Sequence, residues 1–241
     1  MKPVLILEHQ APENIAFLGT WLKNNKISYK VYNAEKDKEF PTSMAPYSAL
    51  AIMGGAMSAN DPLLTNKQAE ILILQAMYSD KPVIGHCLGG QLMAKALGAK
   101  INKSYEPEIG WQKINYIDDP IVAEWFGNDP TDTVIQWHFE SFEIPFNAKL
   151  IASNDNCNNQ AFVLDKHLAM QFHIEIDEPK LNFWVSDKDP NWALLKEQYD
   201  SVQNKDEMLF GSEKFLTKHQ TTASNIYKHW LLQSELQDFI E

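Results

Sequence analysis

The hydrophobic and polar positions of the first hundred residues follow two different periods in turn. Residues 3–7 form a continuous apolar run, which is typical of a strand buried on both faces. Residues 13–24 then place apolar side chains at the three- and four-residue spacing of a helix. Further short strands are predicted at residues 28–32, 48–53 and 82–84. Because strands alternate with helices, the pattern predicts a parallel sheet with helices on both faces.

Helix signals mark the connections between these strands. Thr65 and Gln68 have the spacing of a capping box, so a helix is expected to begin there and to continue to about Tyr78. Another helix follows the strand at residues 82–84. Gly98 is expected to end it, because glycine readily adopts the left-handed conformation found after a helix.

The pattern changes after Gly98. Strands separated by turn signals are predicted at residues 110–117, 133–137, 149–152, 160–164 and 168–174. They indicate an antiparallel or mixed section added to the parallel half. From residue 178 onward, the apolar spacing predicts two or three amphipathic helices packed on the core.

These elements predict one α/β domain over residues 1–241. Its expected architecture is a doubly wound, mostly parallel sheet with helices on both faces, an added antiparallel section and a helical C-terminal extension. We assign residues 1–186 to the α/β core and residues 187–241 to the extension. The chain has 241 residues and is 44% hydrophobic, which suffices for one core of this size.

The stretch at residues 83–91 combines a short strand, a tight turn and the start of a helix. Within it, Gly85, Cys87 and Gly89 form the nucleophile-elbow pattern, with cysteine in place of serine. The glycines leave room where a Cβ atom would clash in a strained turn. Because N–H groups at the helix start favour a thiolate, Cys87 is the predicted nucleophile.

A cysteine nucleophile needs a base and a group that orients the base. His173 and Glu175 lie two residues apart on a predicted strand, where both side chains point to one face. This predicts a triad of Cys87, His173 and Glu175. His138 competes as the base, since Glu140 follows it at the same spacing. The two His-x-Glu pairs also allow a metal site with two histidines and two glutamates.

A turn with two adjacent glycines, Gly54-Gly55, closes the third predicted strand, which in a doubly wound sheet can lie beside the elbow strand. Its N–H groups would then meet the N–H of Leu88 and form an oxyanion hole for developing negative charge. The second cysteine, Cys157, lies in a polar loop without comparable neighbours.

Charge and composition narrow the range of partners. The net charge is −11 and all 21 basic residues are lysines, which argues against nucleic acid and acidic membranes. Without arginine, a substrate carboxylate must be held by lysine, backbone N–H groups or hydroxyls. Two cysteines make no disulfide framework, and neither a membrane-spanning run nor a signal peptide is predicted, so a cytoplasmic setting is expected. No Walker-type loop is present, and no cofactor is expected.

The motifs together resemble the class I glutamine amidotransferases, and within them the stand-alone proteins similar to the amidotransferase domain of GMP synthase. The resemblance covers essentially the whole chain. The residues that carry it are Gly54-Gly55, Gly85-x-Cys87-Leu88-Gly89-x-Gln91, Glu108-Ile109-Gly110-Trp111, His138-x-Glu140 and Gln171-Phe172-His173-x-Glu175.

The resemblance implies a flavodoxin-like fold and hydrolysis of glutamine. Cys87 would attack the side-chain amide and form a γ-glutamyl thioester, with His173 as base and Glu175 orienting it. The N–H groups of Gly55 and Leu88 would form the oxyanion hole. The substrate would be held by Gln91, Trp137, His138 and Glu140. Ammonia would pass to a separate synthetase, because this chain carries no synthetase domain.

Three positions depart from the family pattern, and two other functions remain open. Many members have histidine at Gly90 and proline at Ala56 and Ile174. Without proline at position 56, the oxyanion turn is expected to be looser, because no ring fixes φ there. A γ-glutamyl peptidase of the same superfamily would use the same triad on an amide with a larger leaving group. A non-catalytic regulatory protein on this fold is the other alternative.

Overall fold

An eight-stranded sheet lies at the centre of the computed structural model, which describes residues 2–10, 15–186 and 190–236. The strands are β1 (Val4–Glu8), β2 (Tyr29–Asn33), β3 (Leu50–Ile52), β4 (Val83–His86), β5 (Ile101–Lys113), β6 (Asn115–Tyr116), β7 (Thr133–Phe142), β8 (Lys149–Ser153), β9 (Ala161–Leu164) and β10 (His167–Met170). The helices are α1 (Ala16–Asn24), α2 (Ala34–Asp37), α3 (Leu64–Tyr78), α4 (Leu88–Ala96), α5 (Pro120–Phe126), α6 (Glu178–Trp184), α7 (Pro190–Gln198) and α8 (Lys205–Leu232).

The sheet has the predicted architecture. Its strand order is β2-β1-β3-β4-β10-β9-β8-β6. The five strands from β2 to β10 are parallel to their neighbours. The strands β9, β8 and β6 then continue the sheet in antiparallel pairs. A second, two-stranded antiparallel sheet is formed by β5 and β7, beside the main sheet.

Strand β1 shows why the sheet is covered on both faces. Val4 and Ile6 belong to one buried cluster, which includes apolar residues of α1 and α8. Leu5 and Leu7 point to the other face and belong to a cluster with residues of α3 and α4. Because successive side chains of a strand point to opposite faces, a fully apolar strand requires helices on both sides.

The strand predicted at residues 168–174 is shorter than expected. It is β10, and it ends at Met170. Beyond it, the His173 N–H donates to the carbonyl of Ile135 in β7 at 3.0 Å, so the chain has left the main sheet. The apolar residues that follow and the polar residues between them are all buried, so the alternation at residues 171–176 does not mark a strand with one solvent-facing side.

Of the two helix signals predicted from the sequence, the start of α3 is wrong and the end of α4 is confirmed. The Thr65–Gln68 capping box is wrong: the N-cap of α3 is Leu63, and no side chain bonds there. Gln68 instead accepts a hydrogen bond from the Phe40 N–H at 2.8 Å, because its carboxamide points toward the loop before β3. The predicted helix end at Gly98 is confirmed, since Gly98 follows α4 with φ of +87°.

Strands β5 and β7 extend beyond the predicted ranges of 110–117 and 133–137. The first half of β5 carries asparagine, lysine, serine and glutamate at largely accessible positions, so it has no hydrophobic signal. Its strand conformation comes from pairing with β7 across a register shift between Lys103 and Glu108.

Within the described residues three helices follow the main sheet, in agreement with the two or three that were predicted. The longest, α8, begins with a capping box in which Asn204 Oδ1 accepts the Glu207 N–H at 2.9 Å and Glu207 Oε2 accepts the Asn204 N–H at 2.7 Å. Its Ile226, Tyr227 and Trp230 side chains are buried in the core beneath the sheet. The division into core and extension at residue 186 stays a prediction.

Parts of two predicted segments lie outside the described residues. These are residues 13 and 14 of the first predicted helix, and residues 187–189 and 237–241 of the C-terminal part. Among the helices that the structure describes, none is both long and apolar enough to cross a bilayer.

Candidate active site

Cys87 lies at the tip of a strained turn between β4 and α4. Its backbone has φ of 49° and ψ of −108°, a conformation rare for residues other than glycine. A Cβ atom at Gly85 would lie 2.6 Å from the backbone of Gly89. A Cβ atom at Gly89 would lie 2.2 Å from the carbonyl oxygen of Ile52. The elbow therefore requires both glycines, as predicted, and its strain is concentrated at Cys87.

Gly90, one of the departures from the family pattern, makes a third close contact. A Cβ atom at this position would lie 2.6 Å from the carbonyl oxygen of Met170 in β10. That same carbonyl accepts the Cys87 N–H at 2.9 Å. Glycine at position 90 therefore permits α4 to pack directly on the end of β10.

The structure brings His173 and Glu175 together beside Cys87. Nδ1 of His173 lies 2.8 Å from Oε1 of Glu175, and the imidazole and the Cys87 side chain both lie against Gly54 and line one cavity. Both residues lie in the turn after β10 and not on a strand, so the strand argument for their pairing is wrong. The turn itself closes through the Ile176 N–H and the His173 carbonyl at 3.4 Å.

Burial and charge act in opposite directions on this pair. Burial lowers the pKa of His173, but the Glu175 carboxylate and the Cys87 sulfur outweigh it and raise the pKa to about 10. Burial likewise raises the pKa of Glu175, yet the charge of His173, with a smaller effect of His86, holds it well below its usual range. The pair is therefore an imidazolium and a carboxylate at neutral pH.

The Gly54-Gly55 turn lies against both Cys87 and His173. Strands β3 and β4 are neighbours, as predicted. A Cβ atom at Gly54 would lie 2.6 Å from Cε1 of His173 and 3.5 Å from Cβ of Cys87. A Cβ atom at Gly55 would lie 2.9 Å from Cδ2 of Leu88. The Leu88 side chain is buried in the core, and its N–H is the first of α4.

His138 has a carboxylate partner that its sequence neighbours did not indicate. Its Nε2 lies 3.0 Å from Oε2 of Glu108, and its Nδ1 lies 3.2 Å from the backbone carbonyl oxygen of Glu140. The Glu140 carboxylate accepts a hydrogen bond from Ser58 Oγ at 2.7 Å. The His-x-Glu spacing at residues 138–140 therefore does not make a side-chain pair.

The alternative metal site with two histidines and two glutamates is not formed by the described residues. The one group among them with ligand-like spacing is Glu108, His138 and Cys157. The Glu108 carboxylate accepts amide hydrogen bonds from Gln160 at 2.7 Å and Asn154 at 2.6 Å. Cys157 is buried, and mainly this burial raises its pKa to about 11, which keeps it a thiol. The group is therefore satisfied by its own hydrogen bonds.

A cavity of about 990 Å³ opens over Cys87. The predicted site residues that line it are Gly55, Cys87, Gln91, Trp137, His138, Glu140, His173 and Glu175. Gln91 Nε2 donates to the carbonyl of Glu140 at 2.9 Å and to Oε1 of Gln171 at 3.3 Å, so its carboxamide is fixed. Lys103 and Lys180 also line the cavity and place two cations near it.

Two further residues contact Cys87 or His173 and were not predicted from the sequence as site residues. Gln171 Nε2 donates to the Cys87 sulfur at 3.7 Å. Trp184 packs its ring edge-on against His173, with 4.8 Å between ring centroids, and also packs against Trp137. Gln171 stands two residues before His173, and this spacing could have indicated that its side chain lies near the same site. Trp184 lies in a helix whose local pattern gives no such signal.

Several known proteins similar to this chain are glutamine amidotransferases or glutamine-hydrolysing GMP synthases by name. The sequence model of the family described as glutamine amidotransferase class-I matches residues 16–180. The chain is 27% identical over 184 residues to the glutamine amidotransferase-like protein YfeJ of Salmonella typhimurium, covering 70% of this chain and 76% of that protein. It is 32% identical over 100 residues to one subunit of the glutamine-hydrolysing GMP synthase of Sulfolobus acidocaldarius, covering 39% of this chain and 51% of that protein.

A solved structure extends this similarity to nearly the whole chain. The crystal structure of a glutamine amidotransferase from Methylobacillus flagellatus matches with a TM-score of 0.89 and 32% identity. The match covers 98% of this chain and 96% of that one.

The His173–Glu175 pair should make the stability of the protein depend on pH. The raised pKa of His173 stabilises the folded state fully below its unfolded value of 6.5, and the effect is lost as pH rises toward 10. The lowered pKa of Glu175 stabilises it fully above 4.5, and the effect is lost as pH falls. Glu175→Gln should therefore lower the free energy of unfolding most between pH 4.5 and 6.5, by about 3 kcal/mol, in urea titrations.

The matched control is the exposed pair of Lys218 and Asp129, whose atoms lie 2.9 Å apart. Asp129→Asn should change stability by less than about 1 kcal/mol over the same pH series. A Glu175→Gln effect that is flat with pH, or largest above pH 10, would contradict the ion pair.

The two thiols should differ in reactivity toward iodoacetamide. Cys87 lines the cavity, whereas Cys157 is buried outside it and its pKa is raised to about 11. At pH 7 only about one Cys157 in ten thousand would be a thiolate. Peptide mass spectrometry over time should therefore show Cys87 modified first, with the same rate in Cys157→Ser. Equal rates at both cysteines would contradict this difference.

Proposed function

Because this chain belongs to the class I glutamine amidotransferase family, we propose that it hydrolyses the side-chain amide of glutamine through a γ-glutamyl thioester on Cys87. One observation carries the proposal: Cys87 and His173 lie side by side against Gly54 and line an open cavity, and Glu175 lies 2.8 Å from the His173 ring. A strained elbow that exposes a thiol to a cavity, beside a paired histidine, has the geometry of nucleophilic catalysis.

In the proposed mechanism His173, as the imidazolium, already holds the proton that the Cys87 thiol has given up, and the sulfur of Cys87 attacks the amide carbon. The raised pKa of His173 favours the state in which the imidazole holds that proton. The imidazolium then gives the proton to the leaving nitrogen, so that ammonia departs and the thioester forms. Water activated by His173 hydrolyses the thioester and releases glutamate. Glu175 stabilises the imidazolium throughout.

Negative charge develops on the carbonyl oxygen in both steps. In our proposal the N–H groups of Gly55 and Leu88 receive it, since their residues lie in contact beside Cys87 and Leu88 begins α4. The α-amino and α-carboxyl groups of glutamine would lie along Gln91, Trp137, His138 and Glu140. The fixed carboxamide of Gln91 supports this part of the proposal, as does the tethering of His138 by Glu108.

The fate of the ammonia is a further part of the proposal. The Sulfolobus acidocaldarius relative is by name one subunit of GMP synthase, and this chain spans about half of its length. By analogy we propose transfer of ammonia to a separate synthetase. Both cysteines are free thiols, which supports a reducing, cytoplasmic setting. The proposed chemistry uses no cofactor or metal.

Hydrolysis of a larger γ-glutamyl amide is the second candidate function, and the size of the cavity favours it. Exposed aromatic side chains of Tyr105, Phe139 and Phe183 line the cavity in addition to the predicted pocket. The cavity therefore extends beyond the predicted glutamine pocket and has room for a leaving group larger than ammonia.

Substrate tests separate these functions. Purified protein and a Cys87→Ala control should be incubated with glutamine and with a panel of γ-glutamyl amides, and the products identified by mass. We expect glutamate and ammonia from glutamine, at a rate that Cys87→Ala abolishes. A higher kcat/KM on a γ-glutamyl amide would favour the second function. No thioester and no product with any substrate would favour a regulatory protein.

The two histidines should respond differently to removal. His173→Ala should lower kcat by several orders of magnitude, since general acid–base catalysis alone contributes about 10²–10⁴-fold. His138→Ala should act mainly on KM, because its side chain is bound to Glu108 and lines the cavity. Steady-state kinetics on glutamine measure both constants. If His138→Ala abolished turnover while His173→Ala retained it, the assignment of the base would be wrong.

A further inference from the structure

Gln10, in the segment that follows strand β1, accepts a hydrogen bond from the residue that follows the Gly54-Gly55 turn. The Ala56 N–H donates to Oε1 of Gln10 at 2.9 Å. Proline has no N–H and cannot make this bond. The bond therefore depends on a residue other than proline at position 56, the position at which the sequence predicted a looser turn.

The turn is anchored on both sides by β1 and the residues just after it. Before the glycines, the Met53 N–H donates to the carbonyl of Leu7 at 2.9 Å and continues the pairing of β3 with β1. After them, Ala56 is held by Gln10. Gln10 is itself fixed, since Nδ2 of the buried Asn33 donates to its carbonyl at 3.0 Å.

The two glycines between these anchors have no Cβ atom to restrict their backbone. Glycine gains access to conformations that other residues avoid, so a Gly-Gly pair does not by itself fix the direction of an N–H group. An oxyanion donor must point at a position about 2.7–3.1 Å away to be effective. The orientation of the Gly55 N–H therefore depends on the peptide groups that flank the pair.

We propose that Gln10 is a positioning residue that orients the Gly55 N–H by holding the following peptide group. The inference rests on the proposed hydrolysis of glutamine, because it concerns the oxyanion of that reaction. The Gln10 hydrogen bond takes the place of the restriction on φ that a proline ring would impose at position 56. In this role it acts on the transition state through the Gly55 N–H.

Three single variants test this role by steady-state kinetics on glutamine. Gln10→Ala should lower kcat by about threefold to tenfold, the range set by one net hydrogen bond, and leave KM unchanged. Gln10→Glu should restore most of kcat, since its carboxylate still accepts the Ala56 N–H. Gln75→Ala is the matched control: Gln75 Oε1 accepts the Met44 N–H at 3.0 Å in a loop that does not line the cavity, so kcat should not change.

The substitution Ala56→Pro tests whether Gln10 acts through the Ala56 N–H. With proline at position 56 the N–H is absent and φ is restricted, so Gln10→Ala in this background should change kcat by less than about twofold. An equal loss of kcat in both backgrounds would overturn the proposal, as would a change in KM alone. If Ala56→Pro does not fold, the comparison of Gln10→Glu with Gln10→Ala decides.

The outcomes separate this inference from the proposed function. If the unaltered protein hydrolyses glutamine no faster than Cys87→Ala, the proposed function fails, and the role of Gln10 fails with it. If the unaltered protein is active and Gln10→Ala retains its full kcat, only the role of Gln10 is overturned.

Discussion

The close approach of helix α4 to strands β3 and β10 is the constraint on which the site depends. Glycines at positions 85, 89 and 90 have no Cβ atom, and one at any of them would lie within 2.6 Å of neighbouring backbone. This approach forces the chain to reverse within one residue, and that residue is Cys87. The unfavourable backbone of Cys87 is tolerated because packing on both sides fixes it. The thiol is thereby exposed to the cavity while the surrounding backbone is buried.

The positive charge of His173 arises from its pairing with Glu175, because burial by itself favours a neutral histidine. Burial lowers the pKa of His9 to about 4 and that of His219 to about 3, so these histidines are neutral. His173 is equally buried, yet its pKa is raised because a carboxylate lies 2.8 Å from its ring. A buried charge is stable only when it is paired. The position of Glu175 therefore decides which buried histidine can hold and return a proton.

Local patterns predicted the elbow and the parallel sheet, because both are set by neighbouring residues. The glycines around Cys87 and the apolar run of β1 each carry their own signal. The pairing of His173 with Glu175 was also predicted, but for a wrong reason, since spacing of two is compatible with a turn as well as a strand. The link between His138 and Glu108 was missed because it joins residues 30 positions apart. No repeating spacing of residues along the chain indicates a contact between residues so far apart.

The part of the chain beyond the family match contributes to the site. The family's sequence model ends at residue 180, whereas Trp184 and Trp192 lie after it. Trp184 packs on His173, and both tryptophans pack on Trp137, whose carbonyl faces the Cys87 sulfur at 3.7 Å. The ends of β4 and β10 thus position Cys87 and His173, while α6 and α7 support the opposite wall of the cavity. In the proposed function this wall would contact the part of the substrate that does not react, so differences in specificity between relatives are expected to arise there.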